Sequence, residues 1–133
     1  MNRLATAVRA LIDAQEHATV ATIEPDGQPQ LSVVWVKTDG DDVLFSTVAG
    51  RRKHTNLLRD PRISLLVYSR NDPDRYVELR GRALLEDDPD KSLIDELSLR
   101  YTGGPFQDAA ENKRVIVRMT ASKIVTRELD RPS

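Results

Sequence analysis

Apolar and polar positions change period several times along the chain, and the changes mark its elements. Leu4, Val8, Leu11 and Ile12 recur at helical spacing, which predicts an amphipathic helix over about residues 2 to 15. The following segment, HATVATIE at 17–24, alternates instead, as a half-buried strand does. PDGQP then supplies the proline, aspartate and glycine of a tight turn, and the chain doubles back as PQLSVVWVKT. DGD marks a hairpin into a third strand, DVLFST, because Asp-Gly suits the primed turn that matches strand twist.

Residues 52 to about 59 read as a short helix anchored by Leu57 and Leu58 and ended by Pro61. RISLLVYS resumes the sheet, and RYVELRGRALLE forms a long strand in which Gly81 signals either a bulge or a close backbone approach, to protein or to ligand. DDPDKSLIDELSLRY opens with Asp88 as a candidate N-cap and Pro89 at the first helical position, with Leu93, Ile94, Leu97 and Tyr101 on its buried face. A last strand, KRVIVRMTASKIVTREL, is expected to bend near Ala121 and Ser122. Six or so strands joined largely by hairpins, with short helices outside, predict a mainly β fold: an antiparallel barrel of one domain spanning residues 1–133. A small barrel has a filled interior, so a ligand of any size belongs in an outer groove or at a subunit interface, and a homodimer is expected.

Composition narrows the chemistry. The chain has 20 basic and 21 acidic residues, so no global field favours nucleic acid or a membrane, and any anion site must be local. Only 5% of residues are aromatic, too few for a base-stacking platform. The absence of cysteine removes disulfides, thiolate metal sites and thiol nucleophiles. His17 and His54 share no short ligand spacing, so no metal site is expected. The N-terminal segment MNRLATAVRALIDAQ carries charges throughout and is neither signal peptide nor membrane span, which predicts a cytoplasmic protein.

The one local concentration of charge is Arg51, Arg52 and Lys53, placed where the third strand turns into a helix. Cations there add to the unsatisfied amides and positive dipole end of the helix, a combination suited to a phosphate, and Ser46 and Thr47 offer hydroxyls nearby. A solvated charge run is the alternative. On the second strand Leu31, Val33 and Trp35 alternate with Ser32, Val34 and Val36, and the period leaves open which set faces the core.

With the order of elements, the block from EPDGQP through GQPQLSVVWVK to FSTVAGRRKHTNLLRDPRISLLV resembles the flavin-binding split-barrel family, over about residues 4 to 128. That family includes pyridoxamine 5'-phosphate oxidase and the deazaflavin-dependent reductases. The resemblance implies a split β-barrel homodimer whose cofactor phosphate is held by Arg52 and Lys53, with Arg51, Ser46 and Thr47 beside them. It also implies that Ser32, Val34, Val36 and Lys37 line the ring, and that Tyr76 reaches the cofactor from the second subunit. Where the oxidases grip substrate phosphate, this chain has YTGGPFQDAAENK, and it ends SKIVTRELDRPS in place of their tryptophan- and arginine-containing tail. The short length, VVWV and GRRKHTNLLRDPR are closer to the subgroup that uses coenzyme F-420.

The expected function is therefore hydride transfer from reduced F-420 to a conjugated small molecule such as a biliverdin-like tetrapyrrole, a quinone or an enone. Solvent, Tyr101 and Ser32 are the candidate proton sources, and Arg80, Arg82 and Arg118 are candidate contacts to an acidic substrate or to the cofactor tail. The alternatives are an FMN-dependent oxidoreductase and a carrier that binds flavin, deazaflavin or haem without turnover.

Overall fold

The computed structural model describes residues 3–129. The elements are α1 (Thr6–Ile12), β1 (Ala18–Ile23), β2 (Pro29–Val34), β3 (Lys37–Asp39), β4 (Asp42–Val48), α2 (Arg52–Arg59), β5 (Arg62–Tyr68), β6 (Tyr76–Asp87), α3 (Ser92–Thr102) and β7 (Arg114–Arg127). All strand pairs are antiparallel, in one seven-stranded sheet of order β2-β1-β5-β6-β7-β4-β3.

The expected strand over 29–38 is broken in two, which accounts for the seventh strand. β2 and β3 are the two edges of the sheet, yet only Trp35 and Val36 separate them in the chain. The sheet therefore curls until its edges meet at a seam the backbone crosses without ladder bonds: the chain is a split antiparallel barrel. Val20, Val36, Val43, Phe45, Leu65, Val67, Val77, Leu79, Val117 and Met119 fill its interior in one cluster. Each of them is less than 2% exposed, so the barrel holds no ligand within.

Strand alternation is resolved by this core. Thr22 and Val20 on β1 face inward, and Gln30, Ser32 and Val34 on β2 share their side, while Leu31 and Val33 stand outside at 62% and 65% exposure. The inward set of β2 is thus the one containing Ser32. At Gly81 the reading of a bulge and close approach is the correct one. The register shifts between Arg80 and Gly81, Ser122 is the extra residue on β7, and a Cβ on Gly81 would lie 1.9 Å from the Thr120 carbonyl oxygen.

The helices cover the barrel. α1 is shorter than the expected 2–15, of which residue 2 lies outside the described residues, as does the terminal DRPS. It ends at Asp13, whose carboxylate accepts from the Thr38 amide (2.8 Å) and hydroxyl (2.5 Å). Leu4, Val8, Leu11 and Ile12 plug one opening of the barrel. α3 lies outside, with Leu93 and Leu97 on Leu44, Trp35, Tyr101 and Ile116.

Its start corrects the sequence expectation. Pro89 sits before the helix rather than in its first turn, and Lys91, in the left-handed region at φ 57°, is the cap position. Asp88 still does the capping chemistry from upstream, accepting from the Ser92 amide (3.1 Å) and hydroxyl (2.9 Å) and from the Leu93 amide (2.9 Å). Among the described residues no helix is long and apolar enough to cross a membrane.

Candidate functional site

β4 ends at Val48, and the chain turns through Ala49, Gly50 and Arg51 into α2. The Ala49 amide bonds to the Lys113 carbonyl at 2.8 Å, which ties the turn to the start of β7. The Gly50 amide, where φ is 94°, donates to His54 Nδ1 at 3.1 Å. α2 itself is fixed by a buried polar relay: Asn56 Nδ2 donates to Thr22 Oγ1, which donates to Gln30 Oε1, both at 3.0 Å. Asn56 and Thr22 are at most 1% exposed, so the helix has a defined roll and the cations before it a defined direction.

That roll splits the basic triplet. Arg51 and Lys53 face a cavity of about 230 Å³ that also takes in Ser46, Trp35, Arg114 and His17. Arg52 points away, 65% exposed and 3.5 Å from Glu24, so the structure does not bring it to this site as the resemblance implied. Arg51 is the N-cap residue and no side chain caps the helix, which leaves the first-turn amides without an intrahelical partner. Among the described residues neither Arg51 nor Lys53 has an ion-pair partner. Burial of Lys53, and secondarily the neighbouring Arg51 charge, hold the Lys53 ammonium below its ordinary pKa. An anion entering here relieves both effects.

The opposite wall comes from the loop after α3. Arg114 is buried and its guanidinium is held by Asp108 at 2.8 and 3.1 Å, lies 4.9 Å from the Phe106 ring centre, and comes 3.5 Å from the Ser46 hydroxyl. Asp108 also accepts from Asn112 at 2.7 Å and pairs with Lys91 at 3.2 Å. These donors, Arg114 first, hold its carboxyl well below the usual carboxylate range. Trp35 stands half-buried between the walls, stacked on Tyr101 (5.4 Å, 18°) and edge-on to Phe106 (6.1 Å, 88°).

The expected site residues therefore separate. Val34, Ser46, Arg51 and Lys53 meet at the cavity. Ser32, Val36 and Thr47 turn their side chains into the barrel, where Val36 is 1% and Thr47 0% exposed, and the Ser32 and Thr47 hydroxyls have no hydrogen-bond partner. Lys37 is paired with Glu96 at 2.6 Å beneath α3. Tyr76 lies on the outer sheet face in a separate depression with Leu66, Tyr68, Pro73 and Glu78.

The remaining arginines are also placed. Arg80 pairs with Glu78 at 3.0 Å, and Arg82 is exposed beside it on the outer face. Arg118 is held by Glu86, Asp39 and Asp42 at 2.9, 3.0 and 3.3 Å, so it is a strut between strands. Tyr101 is likewise structural. Its hydroxyl accepts from the Val36 amide (3.1 Å), its one proton lies between the carbonyl oxygens of Glu16 (2.8 Å) and Val36 (3.1 Å), and burial raises its pKa.

Sequence reasoning missed His17, Phe106 and Arg114. No spacing could have revealed them, because they stand 29, 60 and 68 residues from Ser46 and meet only through the barrel closure. The one available signal was an aromatic, an acid and an arginine within the FQDAAENKR segment.

The pyridoxamine 5'-phosphate oxidase family model matches residues 4–128. The chain belongs to that family. As a family member it is similar to the solved structure of an F-420 reductase, with 28% identity over 88% of this chain and 94% of that one and a TM-score of 0.81. It is also similar to a conserved hypothetical protein from Mycobacterium tuberculosis, with 28% identity, full coverage of this chain, 95% of that one and a TM-score of 0.78. A pyridoxine/pyridoxamine 5'-phosphate oxidase from Aeromonas hydrophila is 38% identical over 80 residues, 59% of this chain. The matched segment spans 37% of the length of that relative.

Proposed function

We propose that this chain is an oxidoreductase that binds coenzyme F-420 by its phosphate at Arg51, Lys53 and the first turn of α2, and reduces a conjugated small molecule. Family membership supports a flavin-type oxidoreductase, and the F-420 reductase among the similar structures supports the deazaflavin over FMN. The observation that carries the reading is the pair of cations without an ion-pair partner among the described residues, one of them desolvated, beside open helix amides and a flat aromatic wall. These residues fit a phosphate and a planar ring. When bound, the cofactor supplies the hydride, and the protein supplies position and charge.

The cavity of about 230 Å³ lies below the ordinary size range of a complete cofactor pocket. A second wall is needed, and the outer apolar residues Leu31, Val33, Leu66 and Tyr68 provide a surface for a second copy. Sedimentation is expected to show twice the chain mass of 15.0 kDa. A monomer at micromolar concentration would remove the second wall.

The functional test is parallel titration of the protein with F-420 and FMN, followed by the fluorescence of Trp35, the only tryptophan. Tighter binding of F-420 is expected. Preference for FMN would transfer the chain to the flavin-dependent reading, and binding of neither would return Arg51 and Lys53 to a solvated charge run.

A further inference from the structure

We propose that His17 is the general acid of this site, delivering the proton that completes reduction of a conjugated carbonyl substrate. The assignment rests on the reductase reading above. His17 is exposed, lines the same cavity as Lys53 and Trp35, and among the described residues neither of its ring nitrogens has a hydrogen-bond partner. Its position is nevertheless built. Glu16 is buried and bound through its carboxylate to the Arg70 amide (2.6 Å) and Nε (2.7 Å), and the Glu16 carbonyl accepts from the Tyr101 hydroxyl. The Tyr101 ring then packs edge-on against the imidazole at 5.7 Å and 64°. The backbone is pinned on one side and the ring on another, while both nitrogens stay open to a ligand and to solvent.

The other candidates fail on chemistry or place. Tyr101 has its only proton committed to main-chain carbonyls, and the Ser32 hydroxyl is sealed inside the barrel. Arg51 and Arg114 hold their protons too strongly to give them up. Lys53 lies beside Arg51, where a bound phosphate would keep its ammonium charged. The groups around the imidazole are thus the cations Arg51, Lys53 and Arg114, the last neutralised by Asp108, together with the Tyr101 phenol. Imidazole is the one side chain left here that can both hold a proton and give it up to a bound substrate.

The step balances for an enone. Hydride from a reduced deazaflavin bonds to the β carbon, the C=C pair moves to the carbonyl side, and the resulting enolate takes the proton as the imidazolium N–H bond breaks. Solvent then reprotonates the ring. The substrate gains two electrons and two hydrogens, and the carrier is oxidised by the same two electrons.

Wild type, H17N and H17A would be assayed with reduced F-420 and cyclohex-2-en-1-one, together with F-420 titration by Trp35 fluorescence. The expected result for H17N is a kcat about 100-fold lower, loss of the alkaline limb of the pH profile and unchanged F-420 affinity. Free imidazole is expected to restore part of the H17A rate. In wild type the His17 ring carbon signal is expected to shift on addition of F-420. Full activity of H17N with its pH profile intact overturns the assignment alone, as does a ring signal indifferent to the cofactor. A wild type that binds F-420 but leaves the enone unreduced overturns the proposed substrate class and the assignment with it. A wild type that binds neither F-420 nor FMN overturns the function beneath both.

Discussion

Two sets of basic residues in this chain, in two regions, look alike in sequence and are opposite in electrostatics. On the sheet, Arg118 is surrounded by Glu86, Asp39 and Asp42, Arg80 by Glu78, and Arg62 by Asp60 at 2.8 Å. At the β4–α2 turn, Arg51 and Lys53 have no carboxylate partner among the described residues, and Lys53 is half-buried with its ammonium disfavoured. The first region is satisfied by its own protein. The second keeps, at Lys53, a desolvation cost that an anion would offset, and that difference marks its cations as the candidates for binding.

Between the two stands Arg114, which lines the cavity but is closed by Asp108, both side chains at most 7% exposed. Asp108→Asn would leave that guanidinium buried without its counter-charge. A loss of about 3 kcal/mol in denaturant unfolding is expected, the usual scale for breaking a buried pair. The pH dependence has a definite direction. Because the Asp108 pKa is depressed in the folded state, its contribution is complete above the ordinary carboxylate pKa and is lost progressively as pH falls from there through the lower folded-state value, so acid unfolding should come at higher pH in the variant.

Lys53→Met comes next. It is expected to weaken F-420 binding by about 2 kcal/mol, the scale of a hydrogen bond to a charged group, and to leave the unliganded fold at least as stable, since a desolvated charge is removed. The corresponding change at Arg80 should do neither. Protons sharpen the same contrast. A Lys53 pKa lowered in the folded protein means that the unfolded chain binds more protons between the lowered value and 10.5, so stability rises with pH across that window. Phosphate binding reverses the shift. Proton uptake on F-420 addition, read by calorimetry in two buffers of different ionisation enthalpy, is therefore expected in alkaline solution and should vanish in Lys53→Met. The smallest effect is expected at Arg52, exposed beside Glu24, where Arg52→Met should change affinity by less than about 0.5 kcal/mol.

The barrel was legible because its strands are written in period two and its turns in Asp-Gly and Pro-Asp-Gly, both local signals. The basic turn was legible for the same reason, as three adjacent cations at one helix start. What period could not give was the direction of each side chain. The resemblance pairs Arg52 with Lys53, yet the relay from Asn56 through Thr22 to Gln30 sets the roll of α2 and sends Arg52 outward. Ser32 comes to the ring only through the family resemblance, because the alternation leaves open on which side of β2 the core lies. His17, Phe106 and Arg114 were out of reach because they join the site only when the sheet edges close at Trp35 and Val36.

The most direct measurement is F-420 affinity in Lys53→Met and Arg52→Met side by side with wild type. A loss of about 30-fold confined to Lys53→Met, equivalent to the 2 kcal/mol above, is expected if the cofactor phosphate sits in the cavity between α2 and Arg114. Equal losses in both variants, or none in either, would contradict that placement.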